Sequence, residues 1–190
     1  MTKNIILVGV GGQGAILVSK VLTAGLVKAG YDVKMSEVHG MAQRGGSVST
    51  QVRYGDKVYS PIIGLGQADI LVAFEKMEAV RYAEYLKPDG VAIINDHAIV
   101  PMSVAAGQAT YPEGTIEAMQ NAFSCLVVDA SRIAQSIGNA RCQNIVLFGA
   151  MTKILGLEEI DWVEILKETL APKILEINLL AFNKGREVEA

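Results

Sequence analysis

The stretch NIILVGVGGQG, Asn4–Gly14, decides the fold. Its first part, Asn4–Val8, is a continuous apolar run of the kind found in strands that are buried on both faces of a parallel sheet. A glycine-rich turn, Gly9–Gly14, follows at once, and Ala15–Ala29 is helical in composition and apolar almost all round. A strand, a glycine turn and a helix in this order predict the start of a Rossmann-like α/β domain.

The composition indicates a single domain that contacts another protein. A chain of 190 residues is long enough for one well-packed domain, here taken as residues 1–190. With 51% apolar residues it carries more apolar side chains than an ordinary soluble monomer, yet no apolar run approaches the about 18 residues of a membrane span. The net charge is −3, and the basic residues are scattered. We therefore expect a partner protein, and neither nucleic acid nor a membrane.

The two cysteines, Cys125 and Cys142, indicate neither a metal site nor a disulfide framework. They form no CxxC motif, and no histidine lies close to either of them in the sequence. Two thiols alone cannot ligate an iron-sulfur cluster or a zinc ion. We expect two buried apolar thiols, a cytoplasmic location, no metal and no catalytic residue in this chain.

The second half of the predicted nucleotide-binding unit departs from the usual pattern. A strand is predicted at Tyr31–Val38, but no helix pattern follows its loop. Instead, Ser47–Tyr54 alternates between polar and apolar residues, and Lys57–Ile63 resumes the run after a Gly-Asp pair. This pattern predicts a β-hairpin inserted after the second strand.

The rest of the chain predicts further strands, joined and followed by helices. The predicted strands are Ala68–Phe74, Val91–Asn95, which is preceded by a turn at Lys87–Gly90, and Cys125–Ala130, which runs into a helix with Asp129 as a possible cap. The predicted helices are Glu75–Leu86, Glu113–Ala122, Asn144–Leu155, Trp162–Leu170 and Pro172–Arg186. The fold class is therefore α/β, with a mostly parallel sheet and a helical C-terminal layer.

The glycine turn carries the first candidate site. Gly9, Gly11 and Gly14 match the G-x-G-x-x-G pattern that brings an anionic group to a helix N-terminus. Gly12 and Gln13 lie between them, and Gln13 adds a side-chain donor beside any such anion. Glu37, at the end of the second strand, lies where dinucleotide-binding domains place a ribose ligand. The alternative is that the glycines serve only close packing of strand and helix.

The loop after the second strand carries the other candidate site. It contains His39, Gln43 and Arg44, whose side chains bind anions or polar partners, and then Gly45 and Gly46, which permit close approach of another backbone. Its place at the carboxyl end of a strand is where α/β sheets bind ligands. A purely structural loop remains the alternative.

Together these motifs resemble a known family. The segments that carry the resemblance are GVGGQG (Gly9–Gly14), SEVHGMAQRGGSV (Ser36–Val48), VYSP (Val58–Pro61), ADILVAFE (Ala68–Glu75) and LKPDG (Leu86–Gly90). They resemble the gamma-type domain of the 2-oxoacid:ferredoxin oxidoreductases over nearly the whole chain. Within that family the loop most resembles the small subunit of the indolepyruvate-type enzymes, with the pyruvate, 2-oxoglutarate and ketoisovalerate enzymes as alternatives.

The resemblance implies a role in a multi-subunit enzyme. Such complexes decarboxylate a 2-oxo acid on thiamine diphosphate, pass electrons through 4Fe-4S clusters to ferredoxin, and form an acyl-CoA. In the arylpyruvate members the cofactors belong to a large alpha subunit, so this chain holds none and is inactive alone. The two loops are then candidates for the subunit interface, and self-association remains open. A free-standing NAD-dependent oxidoreductase and a pure scaffold remain the alternatives.

Overall fold

The computed structural model describes residues 2–39, 45–157 and 159–189, and within these ranges six strands form one sheet. The strands are β1 (Lys3–Val10), β2 (Asp32–His39), β3 (Ser47–Gly55), β4 (Ala68–Ala73), β5 (Leu86–Asn95) and β6 (Ser124–Val128). Their order in the sheet is β2-β3-β1-β4-β5-β6. Strands β1, β4, β5 and β6 are parallel neighbours, whereas β3 runs antiparallel to both β1 and β2. The predicted α/β class with a mostly parallel sheet is confirmed.

The helices cover both faces of this sheet. They are α1 (Ala15–Lys28), α2 (Lys76–Arg81), α3 (Met102–Ala105), α4 (Thr115–Ala122), α5 (Ala130–Ser136), α6 (Gln143–Leu155), α7 (Trp162–Thr169) and α8 (Pro172–Arg186). Alternate residues of β1 point to opposite faces. Ile5 and Leu7 join the core formed with α1 and the C-terminal helices, whereas Ile6 and Val8 join a smaller core with α2 and α4. The predicted helical C-terminal layer is therefore present.

The inserted hairpin differs from its prediction in one arm. Ser47–Tyr54 is a strand as predicted, but Lys57–Ile63 is not, because β3 already pairs along both edges with β1 and β2. Pro61 also lacks the backbone donor that a paired strand needs. The hairpin consists instead of β2 and β3.

The segment Lys57–Ile63 continues into an irregular strap, residues 57–67, that is tied back to both strands of this hairpin. The amide of Ile63 donates to the side chain of Gln51 at 2.7 Å, and the amide of Val58 donates to the carboxylate of Asp32 at 2.9 Å. Because Gln51 belongs to β3 and Asp32 to β2, the strap lies across both strands.

Smaller differences concern the ends of elements. Lys87–Gly90 belongs to β5 rather than to a separate turn, and the register between β4 and β5 shifts beside it. The helix predicted at Glu75–Leu86 ends earlier, because α2 stops at Arg81 and a short 3-10 turn follows. The predicted cap is confirmed, since the Asp129 side chain accepts a hydrogen bond from the amide of Arg132. Among the described helices, none has the length and apolar character that crossing a bilayer requires.

Helices α6 and α8 cross in direct backbone contact. A Cβ atom added at Gly149 would lie 2.2 Å from the carbonyl oxygen of Phe182, and one added at Gly185 would lie 2.0 Å from that of Val146. Since no side chain fits between the two helices, both glycines are required by packing rather than by backbone conformation.

We expect Gly149→Ala to destabilise the chain by about 1–3 kcal/mol, because the new methyl group forces α6 and α8 apart. In an ordinary helix interior the same change is stabilising by about 1 kcal/mol, so the sign is diagnostic. Urea unfolding followed by circular dichroism measures it, with exposed Lys173→Ala on α8 as the control. An unchanged or raised midpoint for Gly149→Ala would contradict the crossing.

Candidate functional site

The candidate site lies at the carboxyl edge of the parallel strands. The glycine turn, Gly9–Gly14, begins in the last two residues of β1 and continues past its end at this edge, and Phe74 and Glu75 follow β4. Because β3 runs antiparallel to β1, its first residues meet the same edge. Open α/β sheets bind ligands here because loops converge where strands end.

The two glycine-containing motifs are joined by their backbones. The amide of Gly11 donates to the carbonyl of Gly46 at 2.8 Å, and the amide of Gly45 donates to the carbonyl of Gly11 at 3.1 Å. These bonds extend the pairing of β1 with β3 beyond its last strand pair, Val10 with Ser47. The glycine turn and the described end of the second motif, Gly45 and Gly46, therefore belong to one surface.

Gln13 fastens this surface to the sheet. Its buried side-chain oxygen accepts from the amide of Val10 at 2.8 Å, and its nitrogen donates to the carbonyl of Phe74 at 2.8 Å. The amide thus closes the turn on itself and links the ends of β1 and β4. One of the two N–H groups that the sequence offered to an anion is therefore bonded to Phe74.

Gly14 begins α1 in a position that no other residue fits. Its φ of +85° is in the left-handed region, and an added Cβ would lie 2.4 Å from the side-chain nitrogen of Asn144. That nitrogen donates to the carbonyl of Gly14 at 3.3 Å, so α6 contacts the turn directly. Packing against Asn144 is therefore a second reason for glycine at this position, beside the approach of a ligand to the helix N-terminus.

A cleft of about 270 Å³ opens beside the turn. It is lined by Val10, Gly11, Gly12, Gly14, Ala15, Ile16 and Val48. Its walls are backbone and small apolar groups, and the first turn of α1 has neither a capping side chain nor an acidic residue. Such a cleft suits close approach of another polypeptide or of a ligand with an apolar part.

The remaining predicted site residues are not brought to this cleft. Glu37 lies on β2 opposite Thr50, which in turn lies opposite Leu7. Because β3 separates β2 from β1, Glu37 is two strand spacings, about 10 Å, from β1. In a dinucleotide-binding domain these two strands are neighbours, so the geometric argument for a ribose ligand is lost. The His39 side chain, Gln43 and Arg44 lie outside the described residues.

Two buried carboxylates, Glu75 and Glu78, complete this edge, and neither was singled out as a site residue from the sequence. Glu75 caps α2, accepting from the amides of Met77 and Glu78. Its other oxygen accepts from the amide of Ile99 at 3.2 Å and from the Tyr111 hydroxyl. Burial and the neighbouring Glu75 raise the pKa of Tyr111, so its hydroxyl remains a donor at neutral pH. A glutamate directly after a buried strand was the available signal.

Asn95 links the remaining strand ends. Its side-chain nitrogen donates to the carbonyl of Phe74 at 3.1 Å, the oxygen that also binds Gln13, and its side-chain oxygen accepts from the amide of Ala130 at 3.1 Å. The ends of β1, β4, β5 and β6 are therefore joined through two buried amides. This makes the edge a rigid platform for the loops.

The described residues offer no evident redox or metal chemistry of their own. In residues 2–39, 45–157 and 159–189, no three histidine, cysteine or carboxylate side chains are grouped as metal ligands. Burial raises the pKa of both Cys125 and Cys142, which keeps the thiols protonated and poorly nucleophilic.

We expect Gln13→Ala to destabilise the chain by about 1–3 kcal/mol, because buried backbone groups lose their partner.

In Gln13→Glu the carboxylate would face the carbonyl of Phe74, whereas the protonated acid can donate to it. The folded-state pKa of that acid is then raised, so the loss should be small below about pH 4 and grow as the pH rises. Thermal unfolding between pH 3.5 and 7.5 tests this, with exposed Gln135→Ala as the control. A loss that does not depend on pH would contradict the hydrogen bond between the Gln13 side chain and the carbonyl of Phe74.

Comparisons with known proteins agree with this geometry. A family model described as Pyruvate ferredoxin/flavodoxin oxidoreductase matches residues 4–188. The chain is 40% identical to Indolepyruvate oxidoreductase subunit IorB of Pyrococcus horikoshii, over 96% of this chain and 93% of that relative. It is 31% identical to 2-oxoglutarate synthase subunit KorC of Methanothermobacter thermautotrophicus, over 98% of this chain and 94% of that relative.

A solved structure shows the same fold. The gamma subunit of a keto/oxoacid ferredoxin oxidoreductase from Geobacter sulfurreducens superimposes with a TM-score of 0.75 at 22% identity. The match covers 99% of this chain and 96% of that subunit. The arrangement of strands and helices is therefore one that a known oxidoreductase subunit adopts.

Proposed function

Because this chain belongs to the pyruvate ferredoxin/flavodoxin oxidoreductase family, we propose that it is the small subunit of an indolepyruvate:ferredoxin oxidoreductase. One observation carries the choice of substrate: the identity to an indolepyruvate oxidoreductase subunit is 40% over nearly both full lengths, against 31% to a 2-oxoglutarate synthase subunit. The substrate class is then an arylpyruvate, and the pyruvate, 2-oxoglutarate and ketoisovalerate enzymes are the alternatives within the family.

The redox cofactors of the reaction belong, in this proposal, to a large partner subunit. A 4Fe-4S cluster needs four thiolates, and this chain has two cysteines in all. The residues present therefore do not fit a cluster. We assign thiamine diphosphate and the clusters to the large subunit. The contacts with ferredoxin and CoA we assign to the complex as a whole.

The contribution of this chain is then a rigid surface at the carboxyl edge of its sheet. The turn at Gly9–Gly14 and the residues Gly45–Ser47 are held together by backbone bonds, and the adjacent cleft is lined by small groups. Glycines at such a place let another backbone approach closely. We infer that the large subunit packs against this surface near its reacting centre.

The first test separates the chain from the complex. Purified alone, the chain should contain no thiamine diphosphate, show no cluster absorbance and not reduce ferredoxin or a viologen dye. Co-expression with a large subunit of the same family should give a complex that shows all three properties and oxidises indolepyruvate in the presence of CoA. Stoichiometric cluster or turnover in the isolated chain would overturn the proposal, and a preference for pyruvate or 2-oxoglutarate would correct the substrate.

The second test concerns the loop between β2 and β3. If this loop lies near the reaction, Arg44→Ala should lower kcat/KM of the assembled complex about tenfold or more while the complex elutes at its normal size. Arg132→Ala, an exposed arginine on α5, is the control and should leave turnover unchanged. If Arg44→Ala impairs only the assembly of the complex, or has no effect at all, the chain acts as a scaffold whose loops touch no reactant.

A further inference from the structure

Glu78 places a buried carboxylate between α2 and the start of β3. Its side chain is 3% exposed. One carboxylate oxygen accepts from the Ser47 hydroxyl, and the other accepts from Nε of Arg81 at 3.0 Å. A carboxylate withdrawn from water in this way depends on both partners, because an unpaired buried charge is costly.

Folding of α2 does not by itself explain this carboxylate. The N-terminal amides of α2 are already capped by Glu75, and the Glu78 carboxylate contacts Ser47 of β3 as well as Arg81 of its own helix. The pair with Arg81, whose side chain is 52% exposed, is weak evidence for a role in stability. The hydrogen bond to Ser47 fixes geometry instead, namely the distance between α2 and the first residue of β3.

Ser47 is the residue of the segment Gly45–Ser47 whose side chain can anchor that segment. Gly45 and Gly46 have no side chains, and their backbones pair with Gly11. Ser47 follows immediately and carries the hydroxyl that Glu78 binds. The segment Gly45–Ser47 is therefore held in two ways, by backbone bonds to Gly11 and by the side-chain bond to Glu78 of α2.

We propose that Glu78 is a positioning residue, which fixes Gly45–Ser47 against the glycine turn and so sets the surface presented to the large subunit. The second part of this proposal rests on the proposed function, whereas the first part concerns the isolated chain only. An error of about 1 Å in a surface near a reacting centre can lower the rate about a hundredfold. A contact that holds the start of β3 in place can therefore affect the reaction.

Hydrogen-deuterium exchange of the isolated full chain tests the placement. Glu78→Ala and Ser47→Ala should each raise the exchange rate of peptides covering residues 45–52 about tenfold, since a hydrogen bond to a charged group is lost. Glu78→Gln keeps an oxygen that accepts from Ser47, so its increase should be smaller. Glu84→Ala, the same substitution at an exposed position, is the control.

The double variant Ser47→Ala with Glu78→Ala adds a test of coupling. It should exchange no faster than Glu78→Ala alone, because that single variant has already lost the hydrogen bond between Ser47 and Glu78. Additive increases, unchanged exchange at residues 45–52, or an equal effect of Glu84→Ala would overturn the proposal.

Kinetics of the co-expressed complex test the consequence. A merely structural role lowers the amount of active complex and leaves each KM unchanged, whereas a misplaced surface should change the KM of the 2-oxo acid or of CoA about threefold or more. Glu78→Gln should restore most of the wild-type value. Unchanged KM values in fully assembled Glu78→Ala complex would overturn the functional part. If the wild-type complex does not oxidise indolepyruvate but the exchange effect is present, the proposed function fails and the positioning role stands.

Discussion

The antiparallel pairing of β3 between β1 and β2 is the constraint on which the rest of this structure depends. It brings the start of β3 to the edge where β1 ends, so that Gly45 and Gly46 bond to Gly11. It also moves β2 outward by one strand, which separates Glu37 from the glycine turn. A single insertion thus brings two distant motifs together and removes the geometry of a dinucleotide site.

Buried amides convert this edge into a fixed platform. Parallel strands end without partners for their last backbone groups, and each such group is costly if it is buried and unpaired. Gln13 and Asn95 satisfy these groups by bridging between strands, and both bind the carbonyl of Phe74. Asn144 adds α6 to the same arrangement through Gly14. The loops therefore rest on side chains that are themselves held by the sheet.

Much of the fold could be predicted from the sequence, because buried strands and C-terminal helices leave local patterns. The place of β3 could not, since an alternating pattern indicates a strand without identifying its neighbours. The role of Gln13 was equally out of reach. A polar residue among glycines suits a ligand donor or a backbone clamp, and the deciding partner, Phe74, lies 61 residues further on. Glu78 contacts Ser47, 31 residues earlier, and Glu75 contacts Tyr111, 36 residues further on, although the cap that Glu75 forms on α2 is local.

The strap accounts for part of the exposed apolar surface that the composition predicts. The strap of residues 57–67 lies across β2 and β3 and buries Val58 and Ile63. Its other large side chains, Tyr59, Ile62 and Leu65, are 89%, 58% and 61% exposed. Large apolar side chains with this much exposure contribute little to the chain's own core, and exposed apolar surface is typical of protein interfaces. The strap that covers β2 and β3 therefore also leaves three large apolar side chains exposed, which fits the partner protein that the composition predicts.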